Sequence, residues 1–180
     1  MKRVTSLLLS VTILLCICGC KKETPKLTSP VAFYYRTVEM SYDGTSSVIG
    51  SELRESAGFN DNILLLLNAY FNGPTTDGLT SPFPRSLKAV NYSIIGATAF
   101  VQVSNDISQL KGIDLSIACA CIASTVFDLN DTVERVKISS SGSYLDGSDS
   151  ITIECNELYL LDTATVSSPE TTESAATPIE

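Results

Sequence analysis

The chain has 180 residues, 44% of them hydrophobic and 18% charged, enough apolar content for one packed domain and too much for whole-chain disorder. Twenty acidic residues against twelve basic ones leave a formal charge of −8, which speaks against a nucleic-acid footprint. Histidine is absent, which excludes the Ser-His-Asp triad, the Cys-His dyad and every His-ligated zinc site.

Met1-Lys2-Arg3 forms a short basic start, followed by an apolar run from Val4 to Cys18. That run falls short of the roughly 18 residues a spanning helix needs and suits the apolar core of a signal peptide. Ile17-Cys18-Gly19-Cys20 resembles the lipobox of bacterial lipoproteins. The resemblance implies cleavage after Gly19, whose small size suits a signal-peptidase pocket, and a diacylglyceryl group on the Cys20 thiol. Cys18 suits this less well, because bulky Ile17 precedes it. Two acyl chains hold firmly to a bilayer, at about 0.8 kcal/mol per buried methylene. The expectation is a signal peptide over 1–19 and a chain anchored by lipid to the cell membrane, facing the extracytoplasmic side.

Residues 20–30 are polar, carry two prolines and read as a tether. The folded unit is expected over 31–162. Its first strand spans Val31 to Val38, rich in aromatic and β-branched residues. Asn60-Asp61 offers an N-cap for a helix whose apolar stripe is Ile63, Leu64, Leu67, Tyr70 and Phe71, and Gly73-Pro74 stops it. Pro74 to Pro84 reads as a loop. Val90, Tyr92 and Ile94 alternate as one strand, Gly96 turns, and Ala99, Val101 and Val103 return as the second arm of a hairpin. From Leu110 to Leu129 the spacing is helical, with Ile113, Ile117, Ala118, Cys121, Ile122, Thr125 and Leu129 on one broad face. Val136 and Ile138 mark a strand ending at Gly142, and Ile151 to Ile153 a short edge strand. This order predicts an α+β fold: a small mixed β-sheet with two helices packed on one face. Residues 163–180 hold only Val166 and Ile179 as larger aliphatics and are expected to stay disordered.

Several of these segments, taken in order, resemble the GerMN domain of bacterial sporulation and germination proteins and surface lipoproteins. Leu67-Asn68-Ala69-Tyr70-Phe71-Asn72-Gly73-Pro74 is similar to the family's leucine-rich helix ending in Gly-Pro. Pro82 to Val90 is similar to its proline followed by a strand, and Gly96 to Ser104 to its hairpin return. There Gln102-Val103-Ser104 departs from the family's Val-Asp-Leu-Ser, although Asn105 and Asp106 follow closely. Thr125 to Leu129 and Val133 to Ile138 match the passage from helix through a short turn into a strand, with Gly142 at the strand-end glycine. The resemblance covers about Phe33 to Leu161. It implies a fold similar to ring-building motifs, no catalytic constellation, no cofactor, and an interaction role. The implied partner is another envelope protein or further copies of the chain. Binding of cell-wall peptidoglycan, or weak wall-active catalysis, is the alternative.

The residues able to carry chemistry have plain structural readings beside the functional ones. Cys119 and Cys121 lie two apart on a helix, so they cannot bridge each other or jointly chelate one ion there. They read as small buried hydrophobes; a disulfide from Cys155 to one of them, or a metal site, is the alternative. Asp128, Asp131 and Glu134 cluster near the end of the second helix. Asp146 and Asp149 flank Gly147 without the oxygen spacing of a calcium loop. Asn72 to Gly78 lacks the lysine of a phosphate loop and reads as a connector. Tyr34 and Tyr35, neighbours on a strand, face opposite sides, one in the core and one available to a partner.

Overall fold

The computed structural model describes residues 30–39, 47–56, 59 and 62–158. Its elements are β1 (Pro30–Thr37), β2 (Ile49–Glu55), α1 (Ile63–Phe71), β3 (Leu79–Thr80), β4 (Ala89–Ile95) and β5 (Thr98–Val103). A 3-10 turn (Asn105–Gln109) leads into α2 (Gly112–Leu129), then β6 (Arg135–Ser140), β7 (Ser150–Glu154) and a last 3-10 turn (Cys155–Glu157). The signal peptide, the Cys20 tether and the tail lie outside the described residues, and Pro30 already pairs with Glu55 as the first residue of β1.

The fold is α+β, with the strands divided over two sheets in the orders β2-β1-β3 and β4-β5-β6-β7. The four-stranded sheet is mixed, because β5 and β6 run parallel and the other two pairs antiparallel. Parallel neighbours need a long crossover, and α2 is that connection. Ala99, Val101, Val103, Val136 and Ile138, buried at alternate positions of β5 and β6, line the core face of this sheet.

β2 and β3 have no counterpart among the sequence expectations. In β2 the buried residue is Glu52 and an exposed one is Leu53, so the usual alternation is inverted. α1 is capped by Asn62 rather than by Asn60 or Asp61: its side chain accepts the Leu65 N–H at 3.2 Å. Gly73, at φ 97°, closes the helix as expected. α2 begins at Gly112, two residues beyond Leu110, and Ile113 is exposed, outside the helix's buried face.

α2 is long and apolar enough to cross a membrane by length and composition, yet most of it is buried within the fold. It is the central helix. Leu115, Ala118, Cys119, Ile122 and Val126 are all buried, and β1 lies along it. β3 pairs with β1 only at Arg36 and Thr37, and the rest of that edge has no neighbouring strand among the described residues. Side chains of α2 satisfy it instead. Asp128 Oδ2 accepts the Ala32 N–H at 2.9 Å, Thr125 Oγ1 accepts the Tyr34 N–H at 3.1 Å, and Asp114 pairs with Arg36 at 3.0 Å. A helix covering a strand edge in this way removes a site of unwanted pairing.

The other face of β1 carries Phe33 and Tyr35 into an aromatic cluster with Tyr70, Phe71 and Phe83, ring centroids 5.0–6.4 Å apart. The Tyr35 hydroxyl donates to the Tyr70 carbonyl and the Tyr70 hydroxyl to the Tyr34 carbonyl, both at 2.7 Å. These two bonds fasten α1 to β1.

Candidate interaction surface

β4 is the outer strand of the four-stranded sheet, with β5 on one side. Its far end is a two-residue turn, Gly96-Ala97, with Gly96 at φ 59°; a glycine in this first position gives the twist that a tight hairpin requires. Its near end is held by two devices. Asn68 of α1 accepts the Ala89 N–H at 3.1 Å and donates back to the Ala89 carbonyl at 3.4 Å, standing in for a strand partner at that residue. Asp106 accepts hydroxyl hydrogens from Ser86 at 2.6 Å and Ser104 at 2.7 Å, and Ser104 in turn bonds the Lys88 backbone. The Ser86 and Ser104 hydroxyls hold the Asp106 carboxyl below its ordinary value. A bulge between Ala89 and Asn91 then shifts the register by one, leaving Val90 unpaired and bringing Tyr92 and Ile94 opposite Val101 and Ala99.

Beyond Ala89 no strand among the described residues pairs with the outer side of β4. Seven residues long, Ala-Val-Asn-Tyr-Ser-Ile-Ile carries no charge and no proline. Edges are normally protected by charged residues, prolines, short length or a covering element. β2 has Glu52, Arg54 and Glu55, while β7 ends in Glu154, paired with Arg135 at 2.9 Å. Apart from its bulge and the flank of α1 at the Ala89 end, β4 has no such device among the described residues, and Val90, Ile94 and Ile95 are exposed, Ile95 at 69%. Beside it runs a trough in two parts that share Phe59. One part, of about 330 Å³, is walled by Val31, Ile63, Leu66, Tyr92, Ile94 and Leu129. The other, of about 510 Å³, lies between Leu65 and Asn68 of α1 and the approach to β4 at Arg85 and Lys88. Half-burial there raises the Tyr92 phenol, so it stays neutral.

A second polar cluster lies away from this surface, under the aromatic rings. The Glu52 carboxylate accepts the Thr75 N–H at 2.9 Å and the Thr76 N–H at 2.8 Å, and it pairs with Arg54. Arg54 stands over the Phe33 ring at 5.2 Å and donates to the carbonyl of Gly73 at 2.5 Å. Burial pushes the Glu52 carboxyl up, but the hydrogen bonds from Thr76, Thr75 and Arg54 outweigh it and hold the group below its ordinary value. The connector Asn72 to Gly78 thus presents its amides to an anion supplied by the protein itself. Sequence reasoning missed this pair; its trace is an acid and a base two apart in a stretch otherwise resembling a loop.

The remaining expected site residues fall in different places. Gly19 and Cys20 lie outside the described residues. Cys119 and Cys121 are both wholly buried, because α2 is covered on more than one side. Burial raises the Cys119 thiol to about 12; burial and then the neighbouring Cys119 raise Cys121 as well. Cys155 is exposed and unbonded to either. Asp128 belongs to the β1 seam, while Asp131 and Glu134 are exposed. Asp146-Gly147 forms a tight turn with both residues at positive φ, closed by Leu145 and Ser148. Among the described residues no group of three or more Cys, Asp or Glu could hold a metal ion. Tyr35 is the core tyrosine and Tyr34 the half-buried one.

No protein-family model matches the chain, and no curated protein matches it. Among solved structures, the tandem GerMN domains of the sporulation protein GerM from Bacillus subtilis superpose with a TM-score of 0.52 at 18% identity. The fold is GerMN-like. That match covers 72% of this chain and 47% of the tandem one, so the chain spans about half the length of the tandem structure. The first GerMN domain of GerM alone superposes with a TM-score of 0.52 at 15% identity, over 68% of this chain and 92% of that one. The described residues therefore correspond to one GerMN unit, in which β4 is an outer strand.

Proposed function

We propose that this chain is a lipid-anchored, extracytoplasmic interaction module of the bacterial cell envelope that binds protein through the β4 edge and its trough, without catalysis. The observation that carries the reading is the seven-residue uncharged edge with three exposed aliphatics, set beside a groove of mixed polarity lined by Tyr92 and Ile94. Exposed aliphatic side chains along an outer strand suit protein contact, and an unpaired strand edge accepts an added strand through its main chain. Glu52 and Asp128 are engaged in bonds to the backbone, Asp146 lies in a tight turn, and Cys119 and Cys121 are wholly buried. The fold is shared with domains of a sporulation protein, and the lipobox supports both the anchor and the extracytoplasmic place.

Two experiments test this. Cys20→Ala should abolish lipidation and move the chain out of the detergent phase on phase partition; a variant that stays there contradicts the anchor. The full chain is also incubated with purified cell-wall sacculi and, separately, with solubilised envelope proteins. Saturable recovery of a protein that Ile95→Lys abolishes is the expected result. Saturable sedimentation with sacculi, unaffected by Ile95→Lys, would replace protein binding by glycan binding.

A further inference from the structure

A cleft of about 380 Å³ opens where α1 gives way to its connector. Phe71, Pro74 and Phe83 supply its apolar lining, and Asn72, Ser81 and Arg85 its polar lining. Three donors meet here without an internal acceptor. Arg85 is exposed and has no acidic partner among the described residues, whereas Arg36, Arg54 and Arg135 each pair with a carboxylate. The Ser81 oxygen accepts the Phe83 N–H at 3.2 Å, which leaves its hydroxyl hydrogen to donate. The exposed Asn72 side chain makes no hydrogen bond among the described residues. Nearby acceptors are taken. The Ala69, Tyr70 and Gly73 carbonyls at the end of α1 are engaged by the Asn72 and Gly73 N–H groups and by Arg54. Glu52 is held by Thr75, Thr76 and Arg54, and Asp106 by Ser86 and Ser104. In a chain of net charge −8, an unpaired guanidinium beside two neutral donors in a cleft calls for an anionic group from outside.

The lining narrows the class of anion. One guanidinium and no lysine line the cleft, which suits a single negative charge, and the planar fork of an arginine takes a carboxylate through two parallel bonds. Phe71 and Phe83 are only 4% and 7% exposed, so neither offers the flat ring face on which a sugar stacks. The apolar lining suits a small aliphatic side chain instead. We propose that this cleft is a second binding site, for the C-terminal carboxylate of a peptide. Arg85 forks the carboxylate, Asn72 and Ser81 donate beside it, and the last side chain rests against Phe71, Pro74 and Phe83. The site goes beyond the β4 reading, because no residue of β4 lines it. Two sources in the envelope end in such a carboxylate: the terminus of a protein and the short peptides of the cell wall.

Equilibrium dialysis of the full chain in detergent against N-acetyl-alanyl-alanine, in its all-L and all-D forms, tests the proposal. Saturable binding of one dipeptide per chain is the expected result. Arg85→Gln, or amidation of the dipeptide's carboxylate, should weaken it at least about tenfold. Lys137→Gln removes the same charge at an exposed position of β6 outside the cleft and should leave binding unchanged. Tighter binding of the L form assigns the site to a protein terminus, and of the D form to a wall peptide. No saturable binding of either form overturns the proposal, as does binding indifferent to Arg85→Gln or to amidation. A loss as large with Lys137→Gln overturns it too, because general attraction to positive charge then accounts for the binding. Ile95-dependent capture of an envelope protein is read separately, so either reading can fail while the other stands.

Discussion

Glu52 holds a negative charge where 94% of the residue is removed from solvent, and Arg54, Thr75 and Thr76 donate to it. Breaking a buried pair by neutralising one partner leaves the other charge uncompensated, at a cost of roughly 3–5 kcal/mol. Glu52→Gln should therefore lower stability in urea by about 3 kcal/mol, without loss of the β4 surface. The pH dependence follows from the lowered carboxyl. The unfolded chain binds this proton more tightly, so the contribution is complete above the ordinary value of 4.5 and is lost as pH falls through the lower folded value. Glu52→Gln should flatten that acid limb in a pH series of urea midpoints. The thiols make a second residue-scale prediction: alkylation of the native chain labels Cys155 and spares Cys119 and Cys121, as peptide mapping would show. The burial of Cys119 and Cys121 was legible from their helical, apolar setting. Glu52 was not, because an acid read one residue at a time belongs to the surface, and its donors are the Thr75 and Thr76 amides, 23 and 24 residues away.

At the scale of elements, α1, α2, the β4–β5 hairpin and the edge strand β7 were all legible, since each shows its own period or its own stop signal. β2 was hidden. Its inward face carries Glu52 and Arg54, so the polar residues lie where a periodicity expects apolar ones. The β4 bulge was hidden as well: Val90, Tyr92 and Ile94 alternate in sequence, but the slipped register separates Val90 from the other two. α2 has a second role beyond packing, because Thr125 is the wholly buried acceptor for the Tyr34 N–H on the open side of β1. Thr125→Val keeps the volume and removes the acceptor. It should lower stability by about 1–3 kcal/mol, the usual cost of an orphaned buried donor. Asp128→Ala, at an exposed acceptor of the same seam, should cost less; a larger loss there, measured by the same urea unfolding, would contradict the assignment.

The described residues form one GerMN-like unit built around α2, with β1 on it as one layer and the four-stranded sheet as another. Its fold class was legible because helix and strand patterns alternate clearly from residue 63 to 154. The division into two sheets was not, because it depends on β1 choosing β2 over the hairpin, a long-range pairing with no local signal. Deleting Thr163 to Glu180, a segment poor in apolar residues, should move the thermal midpoint by less than about 2 °C. A larger drop would show that the tail packs on the domain. The most direct test of the account as a whole is site-specific photo-crosslinking in intact cells. A photoreactive residue in place of Ile95 should join the chain to a protein, while the same residue in place of Tyr144, also exposed but outside the sheets, should not. Absence of a protein adduct at Ile95, or equal adducts at both positions, would contradict the β4 edge as the element through which this protein acts.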